Sequence, residues 1–133
     1  MFINNSNRIK AMMNDAAIAG LYEAASMIMS QTKRNSRVDT GQTKNAWTYV
    51  VDEKELVATV GNPEENAIWE EFGTGEYSLN KNGRKRGWWY TDEKGERHFT
   101  YGKTPNRTLF NTFVMKQTAV IKVLQEHYKN KFK

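Results

Sequence analysis

Val60–Gly75, VGNPEENAIWEEFGTG, is the stretch on which the reading of the chain turns. Gly61-Asn62-Pro63 stops the apolar run Leu56–Val60. Pro63 at a first helical position, with Glu64 and Glu65 in the first turn facing the positive end of the dipole, predicts a helix over 63–72. Ala67, Ile68, Trp69 and Phe72 give it a short apolar face, and Gly73-Thr74-Gly75 ends it. So short a helix does not stand alone in water. It is expected to dock through Trp69 and Phe72, and on that reading Phe72→Ala costs about 3–5 kcal/mol. Glu70-Glu71 sits oddly inside this cluster. Either the pair is a solvated edge ahead of a glycine cap, or one carboxylate turns inward to hold a loop backbone or a neighbouring chain.

Upstream, residues 46–60 alternate across Asp52-Glu53-Lys54-Glu55 and read as a β-hairpin, with Trp47, Tyr49 and Val51 on one face. Residues 32–42 are polar and read as a loop, in which Asp39-Thr40-Gly41 is a turn with Asp39 bonding the backbone. Before it, residues 6–32 predict a long helix capped by Ser6 or Asn7. Its face, Ile9, Met13, Ala16, Ala17, Gly20, Ala24, Met27 and Ile28, is unusually small at the middle. A helix or sheet is therefore expected to cross close to Gly20.

Downstream, residues 76–87 carry Lys81, Arg84, Lys85 and Arg86 with few large apolar groups, and read as an exposed loop, mobile in the free protein. Residues 88–101 predict a second hairpin, WWYT returning through RHFTY. Thr104 as N-cap and Pro105 at the first position predict a last helix over 105–129, with Leu109, Phe113, Val120, Ile121, Leu124 and Tyr128 inward. The 133 residues thus predict one α+β domain. Its expected form is an antiparallel sheet of about four strands, with the long N- and C-terminal helices packed on one face and a short central helix at the edge.

Charge is divided along the chain. Residues 52–76 hold eight acids against Lys54, whereas residues 77–133 hold thirteen Lys or Arg against Asp92, Glu93, Glu96 and Glu126. Either the two sectors are solvated faces, or they draw copies together head to tail, a contact that makes a ring where the rotation closes. Glu64 and Glu65 on one side, and Lys81, Arg84, Lys85 and Arg86 on the other, are the candidate contacts. Trp88 and Trp89 beside the basic run offer a second use, stacking of nucleic-acid bases next to phosphate-neutralising charge.

Enzyme chemistry finds little foothold. Cysteine is absent, which removes disulfides, thiolate metal sites and cysteine nucleophiles. His98 and His127 lie on different elements without a ligand spacing around them. There is no phosphate-binding, dinucleotide or nucleophile-elbow motif, and no catalytic residue, metal ligand or cofactor is expected. No run approaches the ~18 apolar residues of a membrane helix, and the N-terminus lacks a signal-peptide order.

Glu71-Phe72-Gly73-Thr74-Gly75, preceded by Ala67, Ile68 and Trp69, resembles the signature of the small head–tail joining or tail-component (tail completion, neck) proteins of long-tailed bacteriophages and prophages. Val38-Asp39-Thr40-Gly41 with Asn45-Ala46-Trp47 is similar to another block of that family, and Gly102 with Pro105 and a closing helix to its C-terminal pattern. The blocks come in the family's order and cover most of residues 35–125. The resemblance implies a virion structural protein of the neck that assembles into a ring at the head–tail junction and catalyses no reaction. Its implied partners are copies of itself and other neck and tail proteins, with passing DNA as a further contact and no membrane. It would be made in the host cytoplasm and end in the virion. The alternative is a small basic nucleic-acid-binding protein that uses residues 81–86 with Trp88 and Trp89. The tryptophan-rich hairpin and the basic loop depart from the family's commonest form.

Overall fold

A computed structural model describes residues 5–37 and 41–133. The order of elements is α1 (Ser6–Asn35), α2 (Gln42–Asn45), β1 (Thr48–Asp52), β2 (Val57–Gly61), α3 (Asn66–Phe72), a 3-10 turn (Gly75–Tyr77), β3 (Trp88–Thr91), β4 (Arg97–Thr100) and α4 (Thr108–Lys131). The class is α+β, with long helices at both ends and four strands among the described residues. The strands form two separate antiparallel ribbons, β1–β2 and β3–β4, where one sheet was expected. Hydrogen bonding past β4 goes elsewhere: Tyr101 and Lys103 pair with residues 74–76, so the second ribbon never reaches the first.

Helix α1 is the element on which the others assemble, with α4 along it and β1–β2 against it. The seam between α1 and α4 is built from small and hydroxyl-bearing residues: Ala16, Ala17, Gly20, Ala24, Ala25, Ile28 and Thr32 from α1, Thr108 and Thr112 from α4. A Cβ on Gly20 would lie 2.8 Å from Leu124 Cδ2, so α4 does cross at that glycine. Thr32 and Thr112 are fully buried, and each hydroxyl donates to the carbonyl four residues back, at 2.7 Å. The Asn35 amide donates to the Thr112 hydroxyl at 3.0 Å and ties the two helices. Buried polar groups in this seam thus have partners, as burial requires.

This seam overturns part of the expected core. Phe113 and Ile121 face solvent, together with Phe110, Val114 and Met115, while Leu124 and Tyr128 turn partly inward. On α1, Ile9 and Met13 are also exposed. At the Gly20 crossing α4 presents Leu124, and near Asn35 it presents its threonines, and not its phenylalanines, to α1.

Trp47 precedes β1 and is buried, its indole N–H donating to Ser36 Oγ at 2.9 Å. Tyr49 and Val51 face α1's side of the ribbon, and Tyr22 meets Tyr49 edge-on at 6.4 Å. Ser6 is the first residue of α1 and Asn5 the cap position, without a side-chain cap bond. Asp39 and Thr40 lie outside the described residues. Gly41 is left-handed (φ 83°) and starts α2.

Candidate functional site

Local chemistry sets where α3 begins. The Asn62 side chain accepts the N–H of Glu64 at 2.9 Å and donates to the Thr43 carbonyl at 2.7 Å. Pro63 lies inside this Asx turn, so the helix starts at Asn66 and not at the proline. Only Ala67 of α3 is buried; Ile68, Trp69 and Phe72 are 62%, 43% and 38% exposed. The helix is held in place by polar groups where apolar docking was expected. Phe72→Ala should therefore cost about 1–2 kcal/mol, below the range for a buried phenylalanine. A shift in urea midpoint matching a loss of 3 kcal/mol or more would show that Phe72 is covered.

Both acids of the Glu70-Glu71 pair turn toward the chain itself. The Glu70 carboxylate holds Arg37 at 2.9 Å and also Lys103, and its carbonyl accepts the N–H of Asn106 at 2.7 Å. Glu71 reaches α4: its two oxygens accept the N–H groups of Leu109 (2.8 Å) and Phe110 (3.0 Å). A carboxylate from α3 thus caps the first turn of α4, at the positive end of that helix's dipole. Arg107 lies 3.7 Å from the same carboxylate, its guanidinium 4.3 Å from the Phe110 ring and 5.9 Å from Phe72.

These bonds also explain why α4 begins later than expected. Thr104 and Pro105 do not open the helix, because residues 103–106 run alongside residues 70–74. Arg107 (φ 51°, ψ 38°) then turns the chain, and α4 starts at Thr108. The Arg37 guanidinium donates to the Thr104 carbonyl at 2.8 Å.

The Gly73-Thr74-Gly75 segment completes this clasp. Thr74 exchanges bonds with Lys103: its N–H donates to the Lys103 carbonyl (2.9 Å) and its hydroxyl accepts the Lys103 N–H (2.8 Å). Glu76 N–H donates to the Tyr101 carbonyl at 3.0 Å. A side chain on Gly73 (φ 75°) would meet the Lys103 carbonyl and the Pro105 ring. Gly75 (φ 61°) is at a three-way crossing: a Cβ there would lie 2.2 Å from the Tyr101 carbonyl oxygen and 2.8 Å from Trp88, and a Cβ on Gly83 would in turn meet the Gly75 backbone.

The basic loop is exposed but not featureless at its start. Leu79 N–H donates to the Phe72 carbonyl at 2.8 Å, and buried Ser78 bonds Asn82 at 3.1 Å. Lys81, Arg84, Lys85 and Arg86 all face solvent, as does Glu65, while Glu64 accepts the Gln42 amide at 3.3 Å. Trp88 and Trp89, neighbours on a strand, point to opposite faces. Each carries an arginine, Arg84 at 5.4 Å from Trp88 and Arg97 at 5.2 Å from Trp89, so the pair is not one stacking platform. An open groove of about 920 Å³ lies between α2–α3 and the hairpin, with Lys44, Trp69, Arg84, Trp88 and Tyr90 among its walls.

One grouping escaped the sequence reading. Asp92, Glu96 and His98 converge across the β3–β4 turn with their ligand atoms within 4.8 Å. Asp92 is already engaged, accepting from Lys94 and Glu96 N–H and meeting His98 at 2.8 Å. The His98 bond and the Glu96 N–H hold its carboxyl below the usual range. The signal was a strand pairing: Tyr90 opposite His98 sets Asp92 beside that ring.

The family of the chain follows from its first half. A family model described as "Bacteriophage HK97-gp10, putative tail-component" matches residues 1–73, more than half of the sequence. The chain belongs to this HK97-gp10-like family. As a member it is a structural tail component of a phage, a part of the virion that works in contact with other phage proteins. Comparison with curated proteins and with solved structures gives no match. The family match takes in α1, Trp47 and α3 through Glu71, Phe72 and Gly73, whereas Thr74, Gly75, Pro105, the basic loop and the second hairpin lie beyond it. No helix among the described residues is long and apolar enough to cross a membrane.

Proposed function

We propose that this tail component acts in the neck of the virion, in head–tail joining or tail completion, as a ring of identical copies that catalyses no reaction. The observation that carries this is the apolar surface left open by the fold. Large apolar side chains stand in solvent on each of three elements: Ile68, Trp69 and Phe72 of α3, Phe110, Phe113, Val114 and Met115 of α4, and Trp89, Tyr90 and Phe99 of the second hairpin. Membership of a virion family supplies the context in which such a surface is covered. Assembly takes place in the host cytoplasm, and the partners are neighbouring copies and adjoining neck and tail proteins.

Charge sets the register of the ring. Glu70, Glu71, Lys103 and Arg107 come from opposed sectors but pair within one chain. Among the charges left for a neighbour are those of the β1–β2 turn (Asp52, Glu53, Glu55) with Glu64 and Glu65, and those of Lys81, Arg84, Lys85 and Arg86. Reversing these four basic residues to Glu is expected to slow or abolish ring formation while circular dichroism stays unchanged, and Glu64→Lys with Glu65→Lys restores it in part. Light scattering and negative-stain images at low salt read the outcome, because screening is weakest there. Normal rings from the quadruple variant would remove the loop from the assembly surface. Monomeric protein with steeply salt-dependent DNA affinity would instead favour the nucleic-acid reading.

A further inference from the structure

We propose that the clasp holds the basic loop in one fixed shape, with Gly83 as the positioning residue, and that the loop meets the acidic sector of the next copy as a preformed surface. This deepens the ring reading and rests on it. Composition predicts a mobile loop over residues 76–87, yet its bonds are those of a held one. Leu79 N–H donates to the Phe72 carbonyl at 2.8 Å, and Lys81 N–H to that of Ser78 at 3.0 Å. Buried Ser78 donates its hydroxyl to the Asn82 side chain at 3.1 Å. Gly83 fits so closely on the clasp that a Cβ there would lie 2.2 Å from the Gly75 carbonyl oxygen and 2.8 Å from its nitrogen. At the far end the Glu76 carboxylate accepts the N–H of Arg86 at 3.4 Å, and a Cβ on Gly87 would lie 2.6 Å from the Phe99 ring.

The first and last cations of the run sit on left-handed backbone, Lys81 at φ 57° and Arg86 at φ 71°. A residue with a Cβ stays there only where its surroundings hold it. A loop already ordered in this way loses less entropy when it binds. Its partner follows from the charges. None of Lys81, Arg84, Lys85 and Arg86 is in an ion pair within its own chain among the described residues. Of the described acids, Asp15, Glu23, Glu70, Glu71, Asp92 and Glu96 are paired within the chain. Glu76 and Glu93 belong to the loop and its own hairpin, and Glu126 stands between Lys122 and Lys129 on α4. What remains is one group, Asp52, Glu53, Glu55, Glu64 and Glu65, offset by Lys54 alone. A fixed loop that pairs with no acid of its own chain meets this group on another copy, and such a heterologous contact repeats head to tail.

Gly83→Ala tests this in the full chain, because Gly83 is not left-handed and the change adds crowding alone. Trypsin should cut within residues 81–86 at least tenfold faster than in the unchanged protein, while amides of the α1–α4 seam keep their hydrogen-exchange protection. Association in light scattering should weaken at least tenfold at low salt but less than twofold at about 1 M salt, where the charge contact is screened in both proteins. Added to Lys81→Gln with Lys85→Gln, Gly83→Ala should weaken association less than it does alone, since both act through one contact. Gly95→Ala, with open space around it, should leave cleavage and association as they are. Rapid cleavage of the loop in the unchanged chain would show that nothing holds it and would overturn the proposal. An equal loss at both salts, or none, would overturn the positioning role of Gly83 and leave the ring reading standing. Weaker binding of duplex DNA by Gly83→Ala, with association untouched, would overturn the contact with a copy and give the loop to nucleic acid. A chain that stays monomeric at its highest soluble concentration would overturn both this contact and the ring.

Discussion

Gly75→Ala is expected to lower stability by about 3–5 kcal/mol, from left-handed backbone strain and overpacking together. Strain alone is the smaller part. Gly75 has φ 61°, and a Cβ there falls 2.2 Å from the Tyr101 carbonyl oxygen, 2.8 Å from Trp88 and 2.9 Å from the Gly102 backbone. Retreat of Tyr101 would break its bond with the Glu76 N–H, and Gly83, packed close to the Gly75 backbone, leaves that backbone little room to shift. Gly95 gives the control: it has φ 83° in the β3–β4 turn, and an added Cβ meets nothing within 4 Å. Gly95→Ala should lose only about 1–2 kcal/mol, the left-handed penalty. Urea midpoints of the two variants compare crowding with strain. Equal losses would mean that the chain segments do not cross at Gly75.

The length and kind of nearly every element were legible in the sequence, because periodicity and turn residues are local signals. Gly20 foretold the crossing of a second element, since four small residues around it leave room for a backbone. What periodicity could not show was the rotation of α4. Phe113 and Ile121 share an apolar stripe with Leu124, yet only Leu124 reaches the seam, at Gly20, while nearer its start α4 presents Thr108 and Thr112 to α1. Thr104-Pro105 misled for a related reason. A threonine before a proline is a good local helix start, yet tertiary bonds from Glu70 and Thr74 hold those residues extended. The same holds for Pro63, which the Asn62 side chain claims for a turn. At the site, the inward turn of a carboxylate was open as one of two readings of Glu70-Glu71. Its target, the start of a helix 38 residues away, is a long-range pairing that no local pattern encodes.

That pairing carries the second large effect. Glu71→Ala should destabilise the protein by about 2–4 kcal/mol, since it removes a helix cap made of two charge-assisted bonds. The Glu71 side chain is only 12% exposed, so water replaces it poorly at Leu109 N–H, and Arg107 loses its counter-charge. Glu71→Gln keeps one acceptor but loses the charge and one of the two bonds, and should cost about half as much. The loss should be local before it is global. In hydrogen exchange, the amides of Leu109 and Phe110 should lose protection first in Glu71→Ala, while Thr32 and its neighbours in the α1–α4 seam keep theirs. The consequence for assembly follows from position: Phe110 and Phe113 are exposed in the turns that Glu71 caps, so a frayed start of α4 disorders part of the apolar surface through which the proposed ring would form. Glu71→Ala should then weaken association at temperatures well below its melting point, whereas Phe72→Ala, which leaves the cap intact, should weaken it much less. An unchanged denaturation midpoint in Glu71→Ala would mean that the carboxylate does not cap α4, and the conformational account of Glu71 through Gly75 would fall with it.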